Sequence, residues 1–390
     1  MKPIDNLILN REKYLETRSV NSIVSSLGGL SLQWQDRNYS FRKKAVKRLV
    51  EKSFFSEAMA NALLDALFEE QTQAKLLKLL KAEFQDPRVL DEFRRETLTG
   101  KWQRARGPRL ITHIFSGNVP NPSILSFVLG MLVKSANIGK TSSKDEGFLD
   151  IYLESLREAD PKLARTNLLL EPTDKQSLFS AIRASGLVVA YGRDASLGEI
   201  RSHVHAATPF IGYGHRVSFG IYTKEALNKK NIAAFAEGSA RDIWMTDQRG
   251  CLSPMEIFVE TGGEVSPEEF SEKLKIALEH AFAMRAWRLP LGLGAVHTVG
   301  FAGKKMVSVR PVKNLKEALK VLKPFHRYLQ AVSLEAGPDR SKKMRITETL
   351  SRLGVNRICR AGQMQRPPVT WHHDGKWNLA SCVNWSDLEI

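Results

Sequence analysis

This 390-residue sequence predicts an α/β protein: a doubly wound parallel sheet, a mainly helical N-terminal region and a second α/β unit. Three observations carry the expectation. Apolar residues recur at helical spacing before residue 105, short apolar runs alternate with helical ones from 110 to 225, and the alternation resumes beyond Asn231. The length allows two or three packed domains. The expected boundaries are 1–105 for the helical region, 106–228 for the first α/β domain, 229–345 for the second and 346–390 for a C-terminal segment.

Within the first region, Met59, Leu63, Leu64, Leu67, Leu76, Leu77, Leu79 and Leu80 repeat with helical period, and Asp86-Pro87 ends the run because the residue before proline resists helix. Leu110 to Phe115 is a short β-branched run that stops at the breaker-rich turn Ser116 to Pro122. A helix is expected from Ser123 to Val133. Ala136 to Lys140 then leads into the polar turn Thr141 to Asp145, followed by helices at Gly147–Arg157 and Lys175–Ser185. A strand at Gly186–Tyr191 breaks at Gly192 to Ser196, and a helix at Leu197–Ala206 and a strand at Arg216–Tyr222 complete the series. The turns at Asn118, Lys140 and Gly192 all follow such runs, where an open α/β sheet binds its ligands, so a nucleotide site is expected there. In the second unit a helix (Ile232–Ile243) delivers a turn containing Cys251, followed by a strand at Glu256–Glu260. Ser266-Pro267-Glu268-Glu269 is a helix start with a serine cap, Pro at the first position and acids in the first turn, and the helix is expected to run to Trp287. Strands at Met306–Val309 and Leu329–Leu334 flank a helix at Leu315–Leu322.

No apolar stretch is long enough to span a bilayer, and the acidic, short-cored N-terminus is not a secretory signal, so a cytoplasmic location without a membrane span is expected. Three cysteines, none in a C-x-x-C pair, exclude a disulfide framework. His203 and His205 would share one face of a strand, yet no third ligand follows at metal-site spacing, so no metal is expected. The net charge of +16 is distributed through ordinary amphipathic patterns without an RNA-binding or helix-turn-helix motif. An anionic substrate or acidic protein partner fits that field, and nucleic acid is not expected.

Asp247-Gln248-Arg249-Gly250-Cys251-Leu252-Ser253-Pro254 is the most informative stretch. It sets a cysteine in a polar, glycine-preceded turn with a cation two residues away, and a nearby positive charge lowers a thiol's pKa toward the reactive thiolate. A half-buried structural thiol is the competing reading. Gly292-Leu293-Gly294-Ala295 lacks the third glycine of a dinucleotide fingerprint and follows a helix, not a strand. Val217-Ser218-Phe219-Gly220 is no nucleophile elbow, because Arg216 stands two before the serine.

Five ordered segments carry a resemblance. They are Ser116-Gly117-Asn118-Val119-Pro120, the run Lys134 to Asp145, Val189-Ala190-Tyr191-Gly192-Arg193-Asp194, the Cys251 turn, and the tail from Gly354-Val355-Asn356-Arg357-Ile358 to His373-Asp374-Gly375. Together they resemble, over residues 35–388, the acyl-CoA reductase family typified by the reductase subunit of the bacterial bioluminescence fatty acid reductase, within the aldehyde dehydrogenase superfamily. The resemblance implies an aldehyde dehydrogenase-like fold, with a Rossmann-type dinucleotide-binding domain and a second, catalytic α/β domain carrying the nucleophilic cysteine.

It further implies roles. Cys251 corresponds to the acyl-accepting thiol and Asn118 to the oxyanion-binding asparagine. Lys140 matches the lysine that contacts the adenosine ribose, with Ser142 and Ser143 beside it. Where many NAD-preferring relatives have a glutamate, Ser143 with Lys144 favours a 2′-phosphate, hence NADPH, with NADH as the alternative. Gly192, Arg193 and Ser196 fall in the turn that approaches the pyrophosphate. Residues 212–216 lack the deacylating glutamate of hydrolytic relatives, which speaks for thiol exchange over hydrolysis. The implied reaction is reduction of a fatty acyl thioester, on CoA or an acyl carrier protein, to the aldehyde through a Cys251 thioester. His113, His203, His205 and His215 are candidate acids. The expected partners are the acyl donor, an acyl-protein synthetase and further copies of the chain. The competing functions are an acyl-phosphate reductase of the same superfamily and a non-catalytic basic binding protein.

Overall fold

The computed structural model describes residues 3–53, 55–117, 121–142, 147–282, 297–301 and 305–389. The chain divides into two compact units, one of residues 1–214 and 368–390 and the other of residues 215–367.

The first unit opens with helices. The long apolar periodicity is split in two, Glu57–Glu69 and Gln73–Phe84; the second stops at Gln85, which takes φ of 58°, and Asp86 caps the following short turn by accepting from the Arg88 N–H. The helix Val20–Gln35 packs through Trp34, whose ring stacks on Phe68 at 4.7 Å, and the indole N–H reaches Ser155 Oγ at 2.9 Å on the helix Leu149–Ala159. Arg42 is buried beside it and pays its desolvation with bonds to the Trp34 carbonyl, Asn61 and Asp65. Strands β1 (Arg94–Arg95) and β2 (Trp102–Arg106) lead into the main sheet. That sheet contains β3 (Leu110–Ile114), β4 (Ala136–Lys140), β5 (Asn167–Leu170), β6 (Leu187–Tyr191) and β7 (Phe210–Tyr213). All pairs are parallel, in the order β5-β4-β3-β6-β7. The order reverses direction between β3 and β6, which is the switch point of a doubly wound sheet. Apolar clusters, one with Val188 and Ala190 and the other with Leu110, Ala136 and Ile138, bury its strands.

The second unit repeats the logic with different connections. It holds β8 (Val217–Tyr222), β9 (Pro254–Glu260), β10 (His297–Phe301), β11 (Lys305–Val312), β12 (Leu329–Glu335) and β13 (Arg357–Cys359). They are ordered β10-β11-β9-β8-β12-β13, parallel except for the β10–β11 pair. Side chains alternate across the sheet as the strand period requires. Ile257 and Val259 of β9 join a cluster with residues of the helices Ile232–Trp244 and Pro267–Phe282, whereas Phe258 joins one with residues of the helices Leu315–Leu322 and Arg340–Arg352. The Ser266 start is a reciprocal capping box. Ser266 Oγ accepts from the Glu269 N–H at 3.2 Å and Glu269 accepts from the Ser266 N–H at 2.8 Å. The far end expected for that helix, and the glycine run at 292–295, lie outside the described residues. Strand β14 (Asn384–Leu388) returns to pair antiparallel with β2 of the first unit.

Candidate active site

In the first unit the carboxyl ends of β4, β3 and β6 are neighbours, so the turns after Lys140, Ile114 and Tyr191 share one edge of the sheet. The Phe115 N–H donates to the Lys140 carbonyl at 2.9 Å, and the Gly192 N–H to the Tyr213 carbonyl at 3.1 Å, which fixes both turns to adjacent strand ends. Asn118 and Ser143, with Lys144, lie outside the described residues. Lys140 stands at the end of β4 with its ammonium 3.4 Å from the Thr141 carbonyl, next to half-buried Ser142. Burial, then the charge of Lys175, pulls the Lys140 pKa down. Lys175 opens the helix Lys175–Ala184, and sequence reasoning missed it; its place in a first helical turn following a strand was the available signal. Arg193 caps the helix Asp194–Ser202 without a side-chain bond to its first-turn amides, and a Cβ at Gly192 would meet Ser196 at an ordinary 3.6 Å. Two cations and a helix N-terminus on one sheet edge form a donor set suited to an anionic dinucleotide.

Below this edge lies a buried polar network. The His113 ring on β3 bonds Ser126 Oγ at 2.8 Å through Nδ1 and Asn137 Oδ1 at 2.9 Å through Nε2, and Asn137 Nδ2 donates to Asn167 Oδ1 at 2.8 Å. Gly130 admits the Asn137 amide, since a Cβ there would fall 2.0 Å from Asn137 Oδ1. Burial pushes His113 down to about 4. A neutral ring with both nitrogens engaged is a structural histidine, which removes His113 from the candidate acids. His203 and His205 follow the end of a helix and do not share a strand face: the His203 ring lies 4.5 Å from that of Phe179, and His205 Nδ1 accepts from the Ala207 N–H. Among the described residues no group of His, Cys, Asp and Glu is arranged to hold a metal.

In the second unit Cys251 is exposed in the loop between the helix Ile232–Trp244 and β9. Burial pushes Cys359 up to about 11 and Cys382 up to about 12, so both remain protonated thiols at neutral pH. Asp247 and Gln248 take φ of 49° and 55°, consecutive left-handed residues that cost energy and persist where the surroundings hold them. The holding groups are visible. The Gln248 N–H returns to the Ile243 carbonyl at 3.0 Å, and Thr246 Oγ1 pairs with Ser253 Oγ at 2.9 Å across the neck of the loop. Ser218 Oγ, at the start of β8, donates to the Cys251 carbonyl at 2.6 Å and accepts from the Ala331 N–H of β12 at 3.3 Å. Arg249 pairs with Asp247 at 3.3 Å, so its charge is shared with a carboxylate. The sequence reading discarded Ser218 with the elbow motif; its part in seating the Cys251 carbonyl is a long-range contact with no local signature.

Solved structures of the aldehyde dehydrogenase fold superpose on the whole chain. A putative aldehyde dehydrogenase PutA from Anabaena variabilis matches with a TM-score of 0.70 at 15% identity, covering 100% of this chain and 92% of that one. A succinic semialdehyde dehydrogenase from Streptococcus pyogenes, solved in complex with NADP+, matches with a TM-score of 0.72 at 11% identity, covering 100% and 94%. The class is therefore an aldehyde dehydrogenase-like α/β protein. Residues 15–291 and 296–385 match the family described as acyl-CoA reductase (LuxC), and the chain belongs to that family. A long-chain acyl-protein thioester reductase of Photorhabdus laumondii is 24% identical over 326 residues, 82% of this chain and 64% of that protein. Its counterpart from Photorhabdus luminescens is 25% identical over 264 residues, 65% and 53%. The chain thus spans between half and two thirds of the length of these curated relatives. No described helix is long and apolar enough to cross a membrane.

Proposed function

We propose that the chain reduces a fatty acyl thioester, carried on CoA or an acyl carrier protein, to the aldehyde, with NADPH as reductant and Cys251 as the acyl-accepting thiol. The observation that carries this reading is the contrast among the cysteines: Cys251 is exposed on a strained, hydrogen-bonded loop, whereas Cys359 and Cys382 are withdrawn from the thiolate form. The relatives' name, acyl-protein thioester reductase, supports the substrate class and the reaction.

The Cys251 thiolate adds to the thioester carbonyl carbon, forming the new S–C bond and a tetrahedral oxyanion; the oxyanion then collapses by breaking the donor's C–S bond, and the departing thiolate takes a proton from water. The developing oxyanion is assigned to the Asn118 amide and the Cys251 N–H, and one such donor contributes about 2.7–4 kcal/mol. Lys140 and Lys175 would hold an adenosine 2′-phosphate, and the first-turn amides at Arg193 to Ser196 the pyrophosphate. When bound, the reduced nicotinamide supplies hydride to the acyl group. Collapse then restores the Cys251 thiolate and releases aldehyde.

Cys251→Ser tests the assignment. NADPH oxidation with a long-chain acyl-CoA should disappear, and unchanged oxidation refutes the nucleophile. Labelling of Cys251 by radiolabelled acyl-CoA, compared with an acyl phosphate, distinguishes the donor class.

A further inference from the structure

The tail motif around Arg357 has a place in the fold that the acyl-transfer scheme leaves unused. The turn 361–365 lies against the helix Ile232–Trp244 so closely that a Cβ at Gly238 would stand 2.9 Å from the Ala361 carbonyl carbon. Charged groups buried in the second unit hold it from both sides. Asp242, on that helix, accepts from the Gly362 N–H at 2.7 Å and the Met364 N–H at 2.8 Å; Arg357 donates to the Met364 and Gln363 carbonyls, each at 2.7 Å. Glu335 accepts from the Ala361 N–H at 3.0 Å. The Arg357 bonds are charge-assisted, and so shorter and stronger than neutral ones. Gln365 extends from the clamped turn. Its Nε2 donates to the Asp242 carbonyl at 2.7 Å and to Ser253 Oγ at 2.9 Å, and Ser253 is the residue that pairs with Thr246 across the neck of the Cys251 loop.

We infer that Gln365 is a positioning residue for the nucleophile: through Ser253 it locks the neck of the loop 246–253 to a turn clamped by Asp242 and Arg357, and so sets where the Cys251 sulfur stands. The inference rests on Cys251 being the acyl acceptor, but the locking itself does not. Gln365 touches no reacting atom, so its removal acts through placement, where a displacement of about 1 Å costs about 10²-fold in rate.

The test uses the full chain with Gln365→Ala, Ser253→Ala and Ser253→Thr. Backbone hydrogen exchange of residues 247–253 should quicken at least tenfold in Gln365→Ala and Ser253→Ala, with the Pro267–Phe282 helix unchanged, and Ser253→Thr, which keeps the hydroxyl, should restore protection. The single-turnover rate of Cys251 acylation by a long-chain acyl-CoA should fall about 10²-fold with KM altered less than about threefold, as misplacement without lost binding requires. Unchanged exchange at 247–253 in Gln365→Ala overturns the lock. Quickened exchange with an unchanged acylation rate overturns the positioning role. Cys251→Ser retaining full reduction would overturn the nucleophile while the exchange result still stood, so the two failures read differently.

Discussion

The two sheets expose opposite edges. In the first unit the turns of interest leave the carboxyl ends of β4, β3 and β6; in the second, the Cys251 loop leads into the amino end of β9 and is tied to the start of β8. Among the described residues of the first edge, Lys140 faces the charge of a second lysine, and Arg193 gives the helix starting at Asp194 no side-chain cap. The second is closed on itself, with Thr246, Ser253, Ser218 and Gln365 bonded to one another or to the loop backbone. The difference matches the roles proposed for each edge: cations and helix N-terminal amides suit an anionic ligand, whereas a thiol that is to meet a carbonyl carbon needs its backbone fixed beforehand.

The largest effect that would break the comparison is chemical. If Cys251 is the acyl acceptor, Cys251→Ala should lower acyl-CoA reduction by on the order of 10³-fold or more, because the covalent step is lost with the thiol. Acyl labelling should vanish with it, while the midpoint of denaturant unfolding stays close to that of the parent, since the side chain is exposed.

The buried ionisable groups separate the units by pH. His113 is held at about 4 in the fold against 6.5 for an unburied histidine, so the unfolded chain binds the proton first as pH falls. Its contribution is present above pH 6.5 and is lost toward pH 4, roughly 3 kcal/mol in all. Asp242 runs the other way. Burial raises it to about 7 from 3.8, against the pull of the Gly362 and Met364 amides, so the fold binds its proton more tightly. That contribution is present below pH 3.8 and is lost as pH rises through 7. Hydrogen exchange corrected for its intrinsic rate should therefore show β3 loosening and the helix Ile232–Trp244 tightening between pH 7 and 5. Asp242→Asn should flatten the second trend alone. Parallel trends in both units would refute the assignment.

Much of the fold was legible because it is local. The alternation of apolar runs located β3, β6, β8, β9 and β12, and the Ser266 capping box marked its helix, since period and cap chemistry lie in adjacent residues. Strand β4 was obscured by Asn137 and Gly139, poor strand formers. Both are explained only by neighbours distant in sequence: Asn137 by His113 and Asn167, and Gly139 by the Phe127 ring, which a Cβ would approach to 2.7 Å. The Cys251 turn was legible as a motif, but its supports were not, because Ser218, Asp242 and Gln365 come from separate elements and look ordinary where they stand. The strand that His203 and His205 would share is the turn following a helix, where an alternating pair carries no meaning.

A middle-sized effect sharpens the closed edge. Ser218→Ala removes one hydroxyl that serves two backbone groups, the Cys251 carbonyl and the Ala331 N–H. Leaving both unsatisfied should destabilise the second unit by about 1–3 kcal/mol, read by denaturant unfolding. Ser218→Thr, which keeps the oxygen, should recover part of it, the extra methyl being set into a fully buried position.

The smallest effect tests the first edge, and its size is the point. If Lys140 and Lys175 hold a 2′-phosphate, the half-buried Lys140 supplies the stronger bond, and Lys140→Ala should raise KM for NADPH about tenfold or more, within the 1.5–3 kcal/mol of a charged hydrogen bond. Lys175 is exposed and acts through screened water, so Lys175→Ala should raise it only about three- to fivefold, less at high salt. Neither change should alter KM for NADH by a comparable factor, because that cofactor lacks the phosphate. Equal losses for both cofactors would move the lysines from the 2′-position to a group the two share. An effect of Lys175→Ala that persists in high salt would mean direct contact in place of a field.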